Sequence, residues 1–480
     1  MPKPTKHVEI VRIFLLLAFA RMLSAQTYDV VLQGGRVLDP ESGLDGVRNI
    51  GIIGNRIAAV STRPIQGKVI VNATGLDVAP GFIDLHSHGQ DDENYRFKAL
   101  DGVTTALELE LGASPVAAWY SAREGKARVN FGASAGPIPA RMAVMGDTSH
   151  YIPRDAALNG TAAPEQQATI LAAVQKDLND GGLGVGLGIE FAPKQTPTEV
   201  LDLFYAVAKW HRPIFLHLRR PGDHVIESLQ EVIADAAVAG VPIHVMHING
   251  TGGMRTMDAL RMVDGARARG LDVTTEIYPY IAGSAPIESG LFDPGWQENR
   301  GITYSDLMWV ATGERLTSET FDHYRRQGGR LIMFLNSEET VRNAMRHPMT
   351  IVASDGLLTN GQGHPRGAGT YARILGKYVR EDRVLSLMEA IRKCSLLPAQ
   401  RLEMTAPQMR HKGRLKVGAD ADVTVFDPAH VIDKATFERP GQFSEGFRYV
   451  LVNGQFVVRD GKLEQGVFPG KAVRAPTIDR

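Results

Sequence analysis

Pro80-Gly81-Phe82-Ile83-Asp84-Leu85-His86-Ser87-His88 closes an apolar run with two histidines set two residues apart. In an extended strand, residues i and i+2 face the same side, so both imidazoles can converge on one point. Convergent imidazoles suit a borderline-soft divalent ion such as zinc. A pair of ligands is not a site, and the segments that follow have to supply the rest.

Downstream of this stretch, strand-like and helix-like segments alternate, the pattern of a parallel βα architecture. Candidate strands fall at 81–86, 103–110, 130–136, 183–190, 213–218, 242–247, 272–278 and 350–354. Helical stretches lie between them, among them 164–179, 198–210, 225–239 and 257–269. Eight such units predict an α/β fold of the (β/α)8 TIM-barrel type. A ninth strand-like run, 330–335, sits in a long insertion before the last strand and fits this count least well. A helix over 384–397 leads out of the barrel.

Upstream, from Tyr28, short strands alternate with Gly-rich turns, and the same texture returns near the other end, at Val423–Phe426, 448–453 and Gln455–Arg459. This predicts a small β-sandwich built from both chain ends. The expected division is 1–26 as a leader, 27–80 and 411–480 as the two parts of the sandwich, and 81–410 as the barrel. In the leader, Lys3, Lys6 and Arg12 precede the apolar run 13–20, and Leu23-Ser24-Ala25 offers a cleavage site. It reads as a secretory signal peptide, too short to span a bilayer as a stable anchor. Cleavage would put the chain in the periplasm or outside the cell with no membrane anchor; an uncleaved leader would leave it cytoplasmic.

The 480 residues are 44% hydrophobic and 22% charged, with 53 Lys+Arg against 53 Asp+Glu. That balance gives no basis for a nucleic-acid or acidic-partner surface, and the expected partner is a small-molecule substrate. Assembly into a homo-oligomer is compatible with the sequence but not specified by it. The single cysteine, Cys394, excludes intrachain disulfides and a Cys-rich zinc site. A metal must be held by His, Asp and Glu.

In such a barrel the chemistry sits at the C-terminal ends of the strands. His86 and His88 end the first strand, His217 the fifth, His247 the sixth and Asp355 the eighth. Each follows apolar or small residues, where an unpartnered polar group would be costly to bury. The second strand ends Leu107-Glu108-Leu109-Glu110-Leu111-Gly112. Glu108 and Glu110 share a face, and Glu110, nearer the strand end, is the preferred carboxylate ligand, with Glu108 its alternative and Glu190 a further candidate. His224 and His244 read as structural; His244 shares strand parity with Met246, so it should face away from the metal.

Three stretches resemble the amidohydrolase superfamily: 80–88, Gly102-Val103-Thr104-Thr105 and Ala353-Ser354-Asp355-Gly356. Tyr278-Pro279-Tyr280, His364-Pro365-Arg366, Gly369-Thr370 and 413–422 are similar to the N-acyl-D-amino-acid deacylases. Thr105-Ala106-Leu107-Glu108-Leu109-Glu110, Phe292-Asp293-Pro294-Gly295-Trp296 and Ile391-Arg392-Lys393-Cys394 resemble the N-acyl-D-glutamate branch. The resemblance implies zinc, one ion or two, on His217 and His247, with His86 and His88 at a second position and Asp355 as metal neighbour and general base. Related enzymes bridge their metals with a carboxylated lysine or a cysteine. Here the fourth strand has no lysine and Leu111 stands at the cysteine position, so a nearby glutamate is the expected replacement. Asn249 stands where the D-aminoacylases carry a lysine that grips substrate, and the resemblance makes it a candidate substrate contact that would hold the carboxylate differently.

The chemistry so implied is zinc-dependent hydrolysis of the amide bond of an N-acyl-D-amino acid, with N-acyl-D-glutamate preferred. Tyr280 is expected to donate to the oxyanion or the substrate carboxylate, its alternative being a packed aromatic in a turn. Arg366 suits the α-carboxylate through its bidentate fork. Arg219 or Arg220 could meet a side-chain carboxylate; otherwise Arg220 is solvated and Arg219 pairs with an acid such as Glu276. Competing readings are a dipeptidase or cyclic-imide hydrolase on the same metal site and, further off, a binding protein without catalysis.

Overall fold

The computed structural model describes residues 27–149 and 152–477; the expected leader lies outside them. Its centre is a sheet of eight strands paired in sequence order: β1 (Phe82–Asp84), β2 (Val103–Ala113), β3 (Asn130–Ala135), β4 (Val185–Gly188), β5 (Ile214–His217), β6 (Ile243–Val245), β7 (Val273–Ile277) and β8 (Thr350–Val352). All neighbours are parallel. Parallel strands need crossovers, and the crossover helices carry the expected periodicity. In Pro197–Ala208, Val200, Leu203, Phe204 and Val207 are the buried apolar positions, one stripe of a 3.6-residue helix. Its start is set by the Thr196/Glu199 capping box. Val225–Ala239 stops at Gly240, which takes the left-handed conformation that glycine adopts at little cost.

The barrel closes between β1 and β8 through residues beyond both strands. Asp355 N donates to His86 O at 2.8 Å, His88 N and Gly89 N donate to Gly356 O, and Ser87 bridges Gly356. Behind this seam Lys98 Nζ lies 2.7 Å from Asp84 Oδ2 and 2.6 Å from Ser354 Oγ, all three buried. Asp84 also accepts from Ser354 N at 2.9 Å, so one ion pair ties a helix to both edge strands.

Between β7 and β8 the chain leaves the barrel for residues 278–349. Ala282–Pro286, Leu307–Trp309 and Arg330–Phe334 form an antiparallel sheet there. The run 330–335 therefore belongs to this separate sheet and not to the barrel. Leu291, Phe292, Trp296, Trp309, Phe321, Leu331 and Met333 form its core, packed on Leu111 near the end of β2 and on Phe191 just after β4.

The two chain ends meet as expected, with one refinement. Their strands make a single continuous nine-stranded sheet, joined where Asp77–Pro80 pairs antiparallel with Val423–Phe426. The long strand Thr27–Asp39 slips register between Leu32 and Gly35. Its first half pairs with Gln66–Asn72 and its second with Asp77–Pro80, so both layers share one strand. The core between them mixes Leu32, Val37 and Ile50 with Val423, Val425 and Leu451. Among the described residues, no helix is long and apolar enough to cross a membrane.

Candidate metal centre

His86, His88, Glu110, His217, His247 and Asp355 come together at the C-terminal mouth of the barrel. The route is not the predicted one. β1, β6 and β8 end short of His86, His247 and Asp355. His247 (φ 25°) and Asp355 (φ 51°) take positive φ, which non-glycine residues rarely adopt and which clusters at functional sites. These turns, rather than strand parity, bring the two side chains to the centre.

Glu110 is the hub. Its Oε1 lies 2.8 Å from both His217 Nδ1 and His247 Nε2. Its Oε2 lies 3.3 Å from His86 Nε2 and 3.2 Å from His88 Nε2. Asp355 Oδ1 is 3.4 Å from both of the latter nitrogens. Glu108 stands one step out, 2.9 Å from His88 Nδ1. The pairing of β2 with β3 shifts between Glu108 and Ala113, and Gly112 (φ 67°) makes the turn. A Cβ at Gly112 would meet Ser134 O at 2.7 Å, so a larger residue would push the strands apart.

Three imidazoles are anchored from behind by separate carboxylates. His86 Nδ1 lies 2.6 Å from Glu276, His88 Nδ1 2.9 Å from Glu108 and His217 Nε2 2.7 Å from Glu190. A carboxylate accepts, so each of these ring nitrogens carries a proton, and with a cation in the centre the ring would be neutral and point its lone pair inward. His86 Nε2 and His88 Nε2 then face each other at 3.0 Å, with Glu110 beside them. Lone pairs and carboxylate oxygens so crowded call for a cation. The pKa shifts say the same. Burial opposes charge on His86, yet Asp355, Glu110 and Glu276 outweigh it and raise the pKa to about 10. Burial opposes charge on His217 too, but Glu110 and Glu190 raise it to about 9. Asp355, which burial alone would push up, is held well below the usual carboxylate range by Arg366 and His86.

Within 4.8 Å, potential donors fall into three sets: His86, His88 and Glu110; His86, His247 and Asp355; and Glu110, His217 and His247. Nitrogen and carboxylate oxygen donors at this density fit zinc. A cleft of about 740 Å³, counted to its open mouth, lies against them. Arg366 lines it, with Nη2 2.7 Å from Asp355 Oδ2 and with Nη1 buried and unpartnered.

Three expected substrate contacts are not in this cleft. Tyr280 is buried with its ring on His364 (5.2 Å) and its hydroxyl unpartnered, while Tyr278 lines the cleft instead. Arg219 is committed to Glu231, through Nε at 2.8 Å and Nη2 at 2.6 Å, not to Glu276 or to the cleft. Asn249 is spent on the Tyr278 backbone, donating to its carbonyl at 3.0 Å and accepting from its amide at 3.3 Å. Arg220 reaches Glu227 near the surface. Conversely, the insertion brings Arg300 and Arg330 to the cleft wall, and Arg300 pairs with Glu190. Neither arginine stands out in sequence. Glu276 does leave a signal: a carboxylate inside Val273-Thr274-Thr275-Glu276-Ile277 is too costly to bury without a purpose.

A metal-ready cluster at the mouth of a (β/α)8 barrel, flanked by a β-domain from both chain ends, defines a class of hydrolase, and the chain falls in it. It belongs to the amidohydrolase family, whose model matches residues 69–458, and is a metal-dependent hydrolase of amide bonds. Within the family it is similar to an N-acyl-D-glutamate deacylase of Alcaligenes xylosoxydans xylosoxydans, 31% identical over 89% of this chain and 93% of the relative. A D-aminoacylase of the same organism is 28% identical over 90% of this chain and 94% of its own length. Among solved structures, the zinc- and phosphonate-bound N-acyl-D-glutamate deacylase of Bordetella bronchiseptica superimposes with a TM-score of 0.79 at 26% identity, covering 94% of this chain and all of that one.

Proposed function

We propose that the protein hydrolyses N-acyl-D-amino acids, with N-acyl-D-glutamate preferred, at a zinc centre of one or two ions. The observation that carries this reading is the position of Glu110, with one oxygen toward each pair of imidazoles. His217, His247 and Glu110 would hold one zinc; His86, His88 and Glu110 would hold a second. Bound zinc would polarise the scissile carbonyl and acidify water.

The chain's own groups do the rest. Asp355, ionised in the resting site, accepts a proton from the attacking water and delivers it to the leaving amine nitrogen. The products are a carboxylate and the free amino acid. Arg366 Nη1 is a buried donor on the cleft wall, suited to the α-carboxylate. Arg300, paired with Glu190, and Arg330 add guanidinium groups to the same cleft wall, in keeping with a dianionic substrate. Tyr278 takes the place first given to Tyr280 on the cleft wall. The proposed division of the chain is at residues 80 and 410, from end domain to barrel and back.

The test is turnover of N-acetyl-D-glutamate and N-acetyl-L-glutamate by zinc-loaded protein, with and without chelator. The D-isomer should be hydrolysed and the chelator should stop it. Turnover of hydantoins or dihydroorotate, with neither acyl-glutamate accepted, would overturn the proposal.

A further inference from the structure

A line of buried polar groups runs from His86 away from the cleft. His86 Nδ1 is 2.6 Å from Glu276 Oε1, Glu276 Oε2 is 3.1 Å from His244 Nε2, and His244 Nδ1 is 2.7 Å from Thr274 Oγ1. His86 and His244 are fully buried and Glu276 nearly so. The line passes from β7 to β6 and back, and Thr274 borders a second cavity with Pro213, Pro242 and Asp272. Those residues precede β5, β6 and β7, so the line spans the barrel from the metal end to the opposite one.

Proton positions along the line follow from chemistry. A carboxylate only accepts, so Glu276 takes an N–H from His86 at one oxygen and from His244 at the other. The proton on His86 is thereby kept at Nδ1, and its Nε2 lone pair faces His88, Glu110 and Asp355. Around Glu276 the barrel interior is apolar, with Phe215, Met246 and Ile351 in one cluster. Without His244, Oε2 would have no donor there, and the carboxylate would turn or take up a proton.

We propose that His244 is a positioning residue for the metal centre: through Glu276 it fixes the tautomer and orientation in which His86 can bind metal. This rests on the reading of His86 as a ligand. His244 touches neither the cleft nor the reacting groups, so its effect on metal separates from any effect on substrate.

The experiment measures zinc affinity by chelator competition for wild type, His244→Phe, His244→Gln and His86→Asn, with circular dichroism and unfolding of each zinc-free protein as the check on folding. His244→Phe should weaken zinc on the order of 10- to 100-fold, the range found when the support of a ligand is removed. His244→Gln, which keeps an N–H where Nε2 stood, should recover most of the affinity. Were His244→Phe not to fold, His244→Asn, whose amide falls short of Glu276, carries the same expectation of loss. A folded His244→Phe or His244→Asn that binds zinc as wild type overturns the proposal while His86→Asn still weakens binding. Unchanged affinity in His86→Asn overturns the ligand reading itself.

Discussion

Glu110 and Asp355 are both buried carboxylates beside the same histidines, yet the site uses them differently. Glu110 has both oxygens turned to imidazoles, so an amide in its place removes the oxygen from one of the two candidate metal sets and leaves the other a neutral, weaker donor. Glu110→Gln should weaken zinc by more than the ~10–100-fold typical of losing a supporting contact, read by chelator competition. Asp355 makes its longer contacts to the imidazoles and its shortest ion pair to Arg366. Asp355→Asn should lower kcat about 10²–10⁴-fold, the usual loss when a general base is removed, with metal content by elemental analysis largely unchanged. Loss of zinc in that variant would recast Asp355 as mainly a ligand. The sequence already marked both residues, because charges at the ends of apolar strands have to be explained. Glu108 and Glu110 share strand parity, and the sequence preferred Glu110 only for lying nearer the strand end; in the structure Glu110 turns its oxygens to four imidazoles and Glu108 meets His88 Nδ1 alone.

At the scale of elements, the eight barrel strands, their order and most of the helices were legible, because each has its own hydrophobic period. The strand ends were not. β1, β6 and β8 stop early, and local turns with positive φ at His247 and Asp355 carry these two side chains inward. The seam between β1 and β8 depends on a pairing that no local pattern marks, since Lys98 and Ser354 are 256 residues apart. Removing one member leaves the other charge buried. Lys98→Met should therefore destabilise the fold by about 3–5 kcal/mol, the cost of orphaning a buried partner, measured by urea unfolding. An effect near zero would mean that water replaces the ammonium at the seam.

For the molecule as a whole, metal binding and folding should be linked, because residues from strands β1, β2, β5, β6 and β8 or the turns just after them meet at one point only in the native state. Zinc at about 100 times its dissociation constant should raise the unfolding free energy by ~2.7 kcal/mol, and a chelator should reverse the gain; urea unfolding with and without zinc checks this. The sequence by itself determined the fold class, the end domain and the family, and marked the histidines that cluster, since each is written in local patterns of apolar period, spacing and motif. Only the tertiary structure decided that Glu110 turns an oxygen to each pair of imidazoles, that Arg219 and Asn249 are paired elsewhere and Tyr280 packs on His364 away from the cleft, and that Arg300, Arg330 and Glu276 join the site. Those outcomes depend on which side chains meet across large separations in the chain. A long polar side chain finds its partner only after packing has fixed what lies within its reach.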